Sequence, residues 1–229
     1  MADFSHFQPS LFQFLDELTL NNNREWFQAN KGRYEAEVRE PARAFIRAMG
    51  ARLEAAESFL TADDGKVGGS LMRVFRDTRF SKDKTPYKTN VGIQFRHAAG
   101  KDVHAPGFYL HLSPGEIFCG IGMWRPDKVP LQAIREAIAE APEDYLAVVE
   151  DPDFAGAWRL GGEALTRAPK GFEKDHPAIE HIKRKDFIAV RDLQVEDVTA
   201  PGLLDRMMGW YDSGYDFCGF LCGAIGQPF

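Results

Sequence analysis

Apolar residues recur at helical spacing through the first third of the chain and at alternate positions through the middle third. Leu11, Phe14, Leu15 and Leu18 share one face behind Pro9 and Ser10, which predicts a helix opening there. Asn21, Asn22 and Asn23 interrupt it. Asn22, with Glu25 three residues on, suits the cap of a second helix carrying Trp26, Phe27, Tyr34 and Val38. Pro41 suits the first turn of a third helix, with Ile46, Met49, Leu53 and Ala56 on one stripe. Asp63, Asp64, Gly65, Gly68 and Gly69 end this helical part in a loop.

The period then falls to two. Ser70 to Phe75 reads as a strand, with Leu71, Met72, Val74 and Phe75 apolar. Val91, Ile93 and Phe95 form one alternating set, Phe108, Leu110 and Leu112 a second, and Ile117, Cys119, Ile121 and Met123 a third. Ser113-Pro114-Gly115 supplies a hairpin turn between the last two. Four strands predict an antiparallel sheet with one face in the core. The opposite face receives Gly92, Gln94, Arg96, Tyr109, His111, Phe118, Gly120, Gly122 and Trp124. Glycines weaken a strand unless something approaches the backbone closely, so this face awaits either an N-terminal helix or a ligand on an aromatic floor.

Helical spacing returns after Trp124. Asp127 and Pro130 precede Leu131, Ile134 and Ile138, and Pro142 opens a shorter element with Tyr145, Val148 and Val149. Gly161-Gly162 reads as a break and Leu165 to Phe172 as irregular. Phe187, Ile188 and Val190 suggest a fifth strand. Leu203, Leu204, Met207 and Tyr211 give a last helix, interrupted at Asp212-Ser213-Gly214 before the apolar stretch Phe217 to Ile225. The expected architecture is one α+β domain over residues 1–229: helical at 9–57, sheet at 70–124, mainly helical at 127–229.

Composition narrows the setting. The 229 residues include 18 Phe and carry a net charge of −6, so a well-filled core is expected and a nucleic-acid coat is not. No apolar stretch approaches the ~20 residues of a membrane span, and the opening M-A-D-F-S-H-F has neither the basic nor the apolar region of an export signal. A cytoplasmic protein without a membrane partner is expected. Cys119, Cys218 and Cys222 have no His or Cys neighbours at zinc spacing and read as buried thiols.

Charge singles out one segment. From Arg73 to Lys88 stand six cations, Arg73, Arg76, Arg79, Lys82, Lys84 and Lys88, against two acids, Asp77 and Asp83. A local charge of +4 in an acidic chain can steer and hold an anion. Arg would grip a phosphate or carboxylate bidentately, Lys would act as a point charge, and Ser81, Thr85 and Thr89 add hydroxyl donors.

This segment, R-V-F-R-D-T-R-F-S-K-D-K-T-P-Y-K-T-N-V-G, followed by P-G-F-Y-L-H-L-S-P-G-E-I-F-C-G-I-G-M-W, resembles the domain of unknown function 2461 family. F-L-D-E-L-T-L-N-N-N-R-E-W-F and P-K-G-F-E-K-D-H-P-A-I-E-H-I-K-R-K-D-F match it as well. The resemblance covers most of the sequence and implies a domain extent. It implies no activity, cofactor or catalytic residue.

The residues themselves suggest a small anionic ligand. Arg73, Arg76, Arg79, Lys82, Lys84, Tyr87 and Lys88, with Tyr109 and Trp124 for its less polar part, are the expected binding set. Asp77, Asp83 and His111 are the candidates for proton transfer if they open to one cleft. His176 and His181 lie among Asp175, Glu180 and Asp186 but lack H-E-x-x-H spacing, so a charged surface helix is expected there rather than a metal site. Lys170, Lys174, Lys183, Arg184 and Lys185 form a second basic cluster. Folded against the first beside Phe80, Tyr87 or Trp124, it would make a groove for single-stranded nucleic acid, which net acidity argues against. Docking of an acidic protein partner is the third reading. Cofactor, reaction and oligomeric state have no sequence signal.

Overall fold

The computed structural model describes residues 4–65, 67–99 and 106–229. Its N-terminal helices are α1 (Pro9–Leu20), α2 (Arg24–Ala29), α3 (Lys31–Arg33) and α4 (Glu40–Ala55). Strands β1 (Leu60–Thr61), β2 (Val91–His97), β3 (Gly107–Ser113) and β4 (Glu116–Met123) follow. The rest comprises α5 (Lys128–Glu140), α6 (Pro142–Val149), α7 (Pro152–Ala157), β5 (Arg159–Gly161), α8 (Ile179–Ile182), β6 (Phe187–Asp192), α9 (Val195–Thr199), α10 (Leu203–Ser213) and α11 (Tyr215–Ala224). The strands form one antiparallel sheet in the order β1-β2-β3-β4-β6-β5, so the fold is α+β.

Local chemistry places several boundaries differently from the expectation. The cap of α2 is Asn23, whose Oδ1 accepts the Trp26 N–H at 2.9 Å. Asn22 is engaged elsewhere. Pro41 lies not at a separate start but within a run of helical residues, because Tyr34–Arg39 is π-helical and leads directly into α4. Proline lacks an N–H and its ring crowds the carbonyl four residues back, and widening the preceding turns relieves both conflicts. Gly161 ends a short edge strand instead of marking a break, and the left-handed turn falls at Gly162, φ +85°.

The segment Ser70 to Phe75 is not a regular strand. Its pairing is confined to isolated bridges, Leu71 to Ile93 and Phe75 to Tyr87, among the described residues. Residues 70–76 run antiparallel to 86–94: Met72 N–H bonds the Gly92 carbonyl, Lys88 N–H the Val74 carbonyl at 2.7 Å, and Arg76 N–H the Pro86 carbonyl at 2.9 Å. Pro86 has no N–H to return, so the ladder stays intermittent. The basic residues are thus carried by an irregular hairpin whose base borders β2.

Phe45 of α4 lies 6.0 Å from Phe95, and Tyr211 of α10 lies 6.1 Å from Phe108. Helices from both ends of the chain therefore cover the same sheet face, that of Ile93, Phe95, Phe108, Leu110, Cys119 and Ile121, all essentially buried. At the α10–α11 join a Cβ on Gly214 would lie 2.2 Å from Ile121 Cδ1, so only glycine lets the helices sit this close to β4. Cys119, Cys218 and Cys222 are buried and unpaired. No described helix is long and apolar enough to cross a membrane.

Candidate functional site

Strand register builds the opposite face row by row. Gln94 opposes Tyr109, Tyr109 opposes Gly120, and Gly120 opposes Val190; in the next row Gly107 opposes Gly122, which opposes Ile188. Phe217 of α11 reaches the edge of these rows at Gly122, and no residue of a described helix lines the space above the others. The rows floor a cavity of about 440 Å³ walled by Met72, Lys88, Asn90, Phe118 and Trp124. Its size is that of an ordinary small-molecule site.

The glycines have separate reasons. A Cβ on Gly92 would stand 2.7 Å from the Tyr109 hydroxyl, so that glycine makes room for the tyrosine. Gly122 has φ +103°, and a Cβ there would strike the Phe187 carbonyl at 2.2 Å. Gly120 is different. A Cβ there would meet nothing nearer than the Ala189 carbonyl at 3.6 Å, so the backbone would accept a side chain and the missing volume belongs to the cavity.

A second, more polar pocket of about 340 Å³ is lined by Thr19, Asn22, Arg76, Asp83, Thr85, Tyr87, Lys88, Thr89 and Asn90. Lys88 and Asn90 line both spaces. Asn22 anchors the polar pocket: its Nδ2 donates to the Tyr87 carbonyl at 3.0 Å and its Oδ1 accepts the Tyr87 N–H at 3.1 Å. Tyr87 is buried and stacks on Phe27 at 4.0 Å. The turn before α2 thereby holds one arm of the basic hairpin.

The two local acids neutralise two of the six cations. Asp77 accepts from Arg79, with Nη2 to Oδ2 at 2.7 Å, and Asp83 accepts from Arg76 Nη1, which also contacts Thr85 Oγ1. Arginine contacts hold both carboxyls down at about 2, with backbone N–H donors adding to the effect. As placed, neither carboxylate takes up a proton near neutrality. Lys84 Nζ donates to the Thr78 carbonyl at 2.8 Å. Arg73 acts on Asp77 only through its charge, and Lys82, Lys84 and Lys88 form no ion pair with a carboxylate among the described residues.

These cations occupy different surroundings. Arg73, Arg79, Lys82 and Lys84 are exposed and line neither space, and the Arg79 guanidinium sits 5.8 Å from the ring of the exposed Phe80. Lys88 is half-buried, and burial, reinforced by the charge of Arg73, lowers its pKa. Arg76 keeps Nε and Nη2 without a protein partner among the described residues, since both of its contacts use Nη1.

Of the apolar set, Tyr109 and Trp124 line the larger cavity. Trp124 stands at its rim, half-exposed, with the Arg125 guanidinium 4.8 Å from its ring. Burial pushes the Tyr109 hydroxyl up to about 12. His111 lines neither space; its ring lies parallel to Phe118 at 4.7 Å and its Nδ1 is 3.1 Å from the Tyr109 hydroxyl. Burial lowers the His111 pKa and so favours the neutral imidazole, with one hydrogen shared between Nδ1 and the phenol oxygen. Asp77 and Asp83 have no described contact with His111.

Asp186 lies in the stretch expected as a charged surface helix, yet it is buried beneath the rim of the cavity. Asp186, 3% exposed, accepts the Arg125 N–H and the Glu163 N–H at 2.8 Å each, fixing the chain where it leaves Trp124. Nothing in its spacing announces this. His176 bonds the Ala139 carbonyl and the Ala178 N–H, and the described residues hold no cluster of three or more His, Cys, Asp or Glu fit for a metal. In the second basic cluster Lys183 pairs with Glu180 and Lys185 with Glu163, while Arg184 donates to the Gly161 carbonyl. None of its five members lines either space.

The family described as "Conserved hypothetical protein (DUF2461)" matches residues 10–220. No curated protein and no solved structure matches the chain.

Proposed function

Since the chain belongs to that DUF2461 family, whose description carries no activity, we propose from the site itself that it binds a small molecule with an anionic head and an apolar body. The head, a phosphate or carboxylate, enters the polar pocket, where Arg76 offers Nε and Nη2 and Lys88 its ammonium. The body lies on Tyr109, Phe118 and Gly120 under Trp124. Arg73, Arg79, Lys82 and Lys84 act outside the pocket, raising the local concentration of anions. The observation that carries this reading is the position of Lys88, half-buried, without a carboxylate partner, in the wall shared by the polar pocket and the apolar cavity. Composition supports a cytoplasmic setting, where such acids abound.

Thermal-shift measurements on wild type and Lys88→Met test it, with aryl and alkyl carboxylates, their phosphate counterparts and short oligonucleotides at low and moderate salt. A ligand at ~100 times its dissociation constant adds ~2.7 kcal/mol, a rise of roughly 5–10 °C at this chain length. The expected result is a rise with amphipathic acids in wild type that Lys88→Met loses. A rise with oligonucleotides alone, falling steeply with salt, would instead favour nucleic acid. No rise with any acid would refute the reading.

A further inference from the structure

Lys88 is more than a charge. It is half-buried, lines the larger cavity together with Met72, Tyr109 and Phe118, and shares the polar pocket with Arg76 and Asp83, while Arg73 adds a further positive charge nearby. A lysine desolvated beside another cation is the environment in which the amine becomes a nucleophile toward carbonyl carbon. Its position is also specific. A molecule with its acid group in the polar pocket and its body in the cavity must pass Lys88 between the two.

We propose that Lys88 Nζ condenses with the carbonyl of an oxo acid whose C=O lies between its acid group and an apolar, preferably aromatic, body. The inference rests on the binding reading above. The nitrogen lone pair attacks the carbonyl carbon while the C=O π pair moves to oxygen, and a proton passes from nitrogen to that oxygen, giving a carbinolamine. A second proton, delivered from solvent through the Tyr109 hydroxyl, lets the hydroxyl leave as water, and the nitrogen lone pair closes the C=N bond of an iminium. No oxidant or reductant is consumed. The 3.1 Å contact between Tyr109 and His111 holds the phenol in place for that transfer.

Full-length protein incubated with phenylpyruvate and cyanoborohydride provides the test, the reductant trapping any iminium as a stable amine. Digestion and mass mapping should find the adduct predominantly on Lys88, above the level at any other lysine, because the lowered pKa leaves more of its amine free. Lys88→Arg should lose it, and 3-phenylpropanoate, which has no carbonyl to condense, should protect wild type. Calorimetry with 3-phenylpropanoate separates the two claims. If it binds but trapping yields no adduct, or spreads evenly over Lys82, Lys84 and other exposed lysines, the nucleophile assignment falls while the binding reading stands. Absence of both binding and adduct overturns both.

Discussion

Removing the Asp186 carboxylate has a cost that follows from its bonds. The side chain is nearly inaccessible and accepts two backbone N–H groups at 2.8 Å, from Arg125 and from Glu163, on two separate loops. Arg125 has φ +50° and Gly162, just before Glu163, has φ +85°, so both loops are held in left-handed turns at the points the carboxylate grips. Asp186→Ala leaves both donors without an acceptor, and hydrogen bonds to a charged group contribute ~1.5–3 kcal/mol each. The expected loss is ~3–6 kcal/mol, or roughly 6–24 °C in Tm at this chain length. Asp186→Asn keeps one acceptor and should lose about half as much. Urea denaturation followed by far-UV circular dichroism measures the loss, and m-values equal to wild type show that the unfolded states are comparable. A loss below ~0.5 kcal/mol for Asp186→Ala would mean that water replaces the carboxylate at both N–H groups, and the account of how Trp124 is positioned would be wrong.

Two further outcomes are expected. Gly120→Leu should leave stability within about 1 kcal/mol of wild type, because its Cβ meets only an ordinary contact, while abolishing the thermal shift by amphipathic acids; a shift that survives would place the ligand elsewhere. His111 gives a pH dependence whose sign is fixed. Burial lowers its pKa in the folded chain below the ordinary 6.5, so as pH falls the unfolded chain takes the proton first. Its stabilising share is complete above about 6.5 and is lost as pH drops through the folded pKa. His111→Gln should therefore flatten the stability profile below 6.5 in part, since His181, lowered by burial and by Arg184, contributes in the same direction. An unchanged slope would show that His111 titrates as it does in the unfolded chain.

The cavity floor was legible because a strand has a period of two. Once Val91, Ile93 and Phe95 are assigned to the core, Gln94, Tyr109, Phe118 and Gly120 have no choice of side, and register in the structure puts them in adjacent rows. Which face the helices cover was not legible, since an amphipathic stripe says that a helix packs and not where. Leu71, Met72, Val74 and Phe75 give the hairpin the apolar look of a strand, but Pro86 on the returning arm withholds the donor a ladder needs. The cations were counted correctly but differ in role. Arg79 and Arg76 find Asp77 and Asp83 within a few residues, whereas the distinction of Lys88 is burial, which charge counting does not register. The Asn22 and Asp186 contacts span 65 and 61 or 23 residues, beyond the reach of any local pattern.

The Asn22–Tyr87 pair has a kinetic meaning. The polar pocket draws Thr19 and Asn22 from the first helical hairpin and the rest of its wall from residues 76–90, so it exists only after a loop of some sixty residues has closed. Closing such a loop costs chain entropy before any contact compensates it, so this pocket is expected among the later contacts to form. A ligand seated there would act as a bolt on the finished molecule. It would leave the rate of folding unchanged and lengthen the lifetime of the folded state against unfolding.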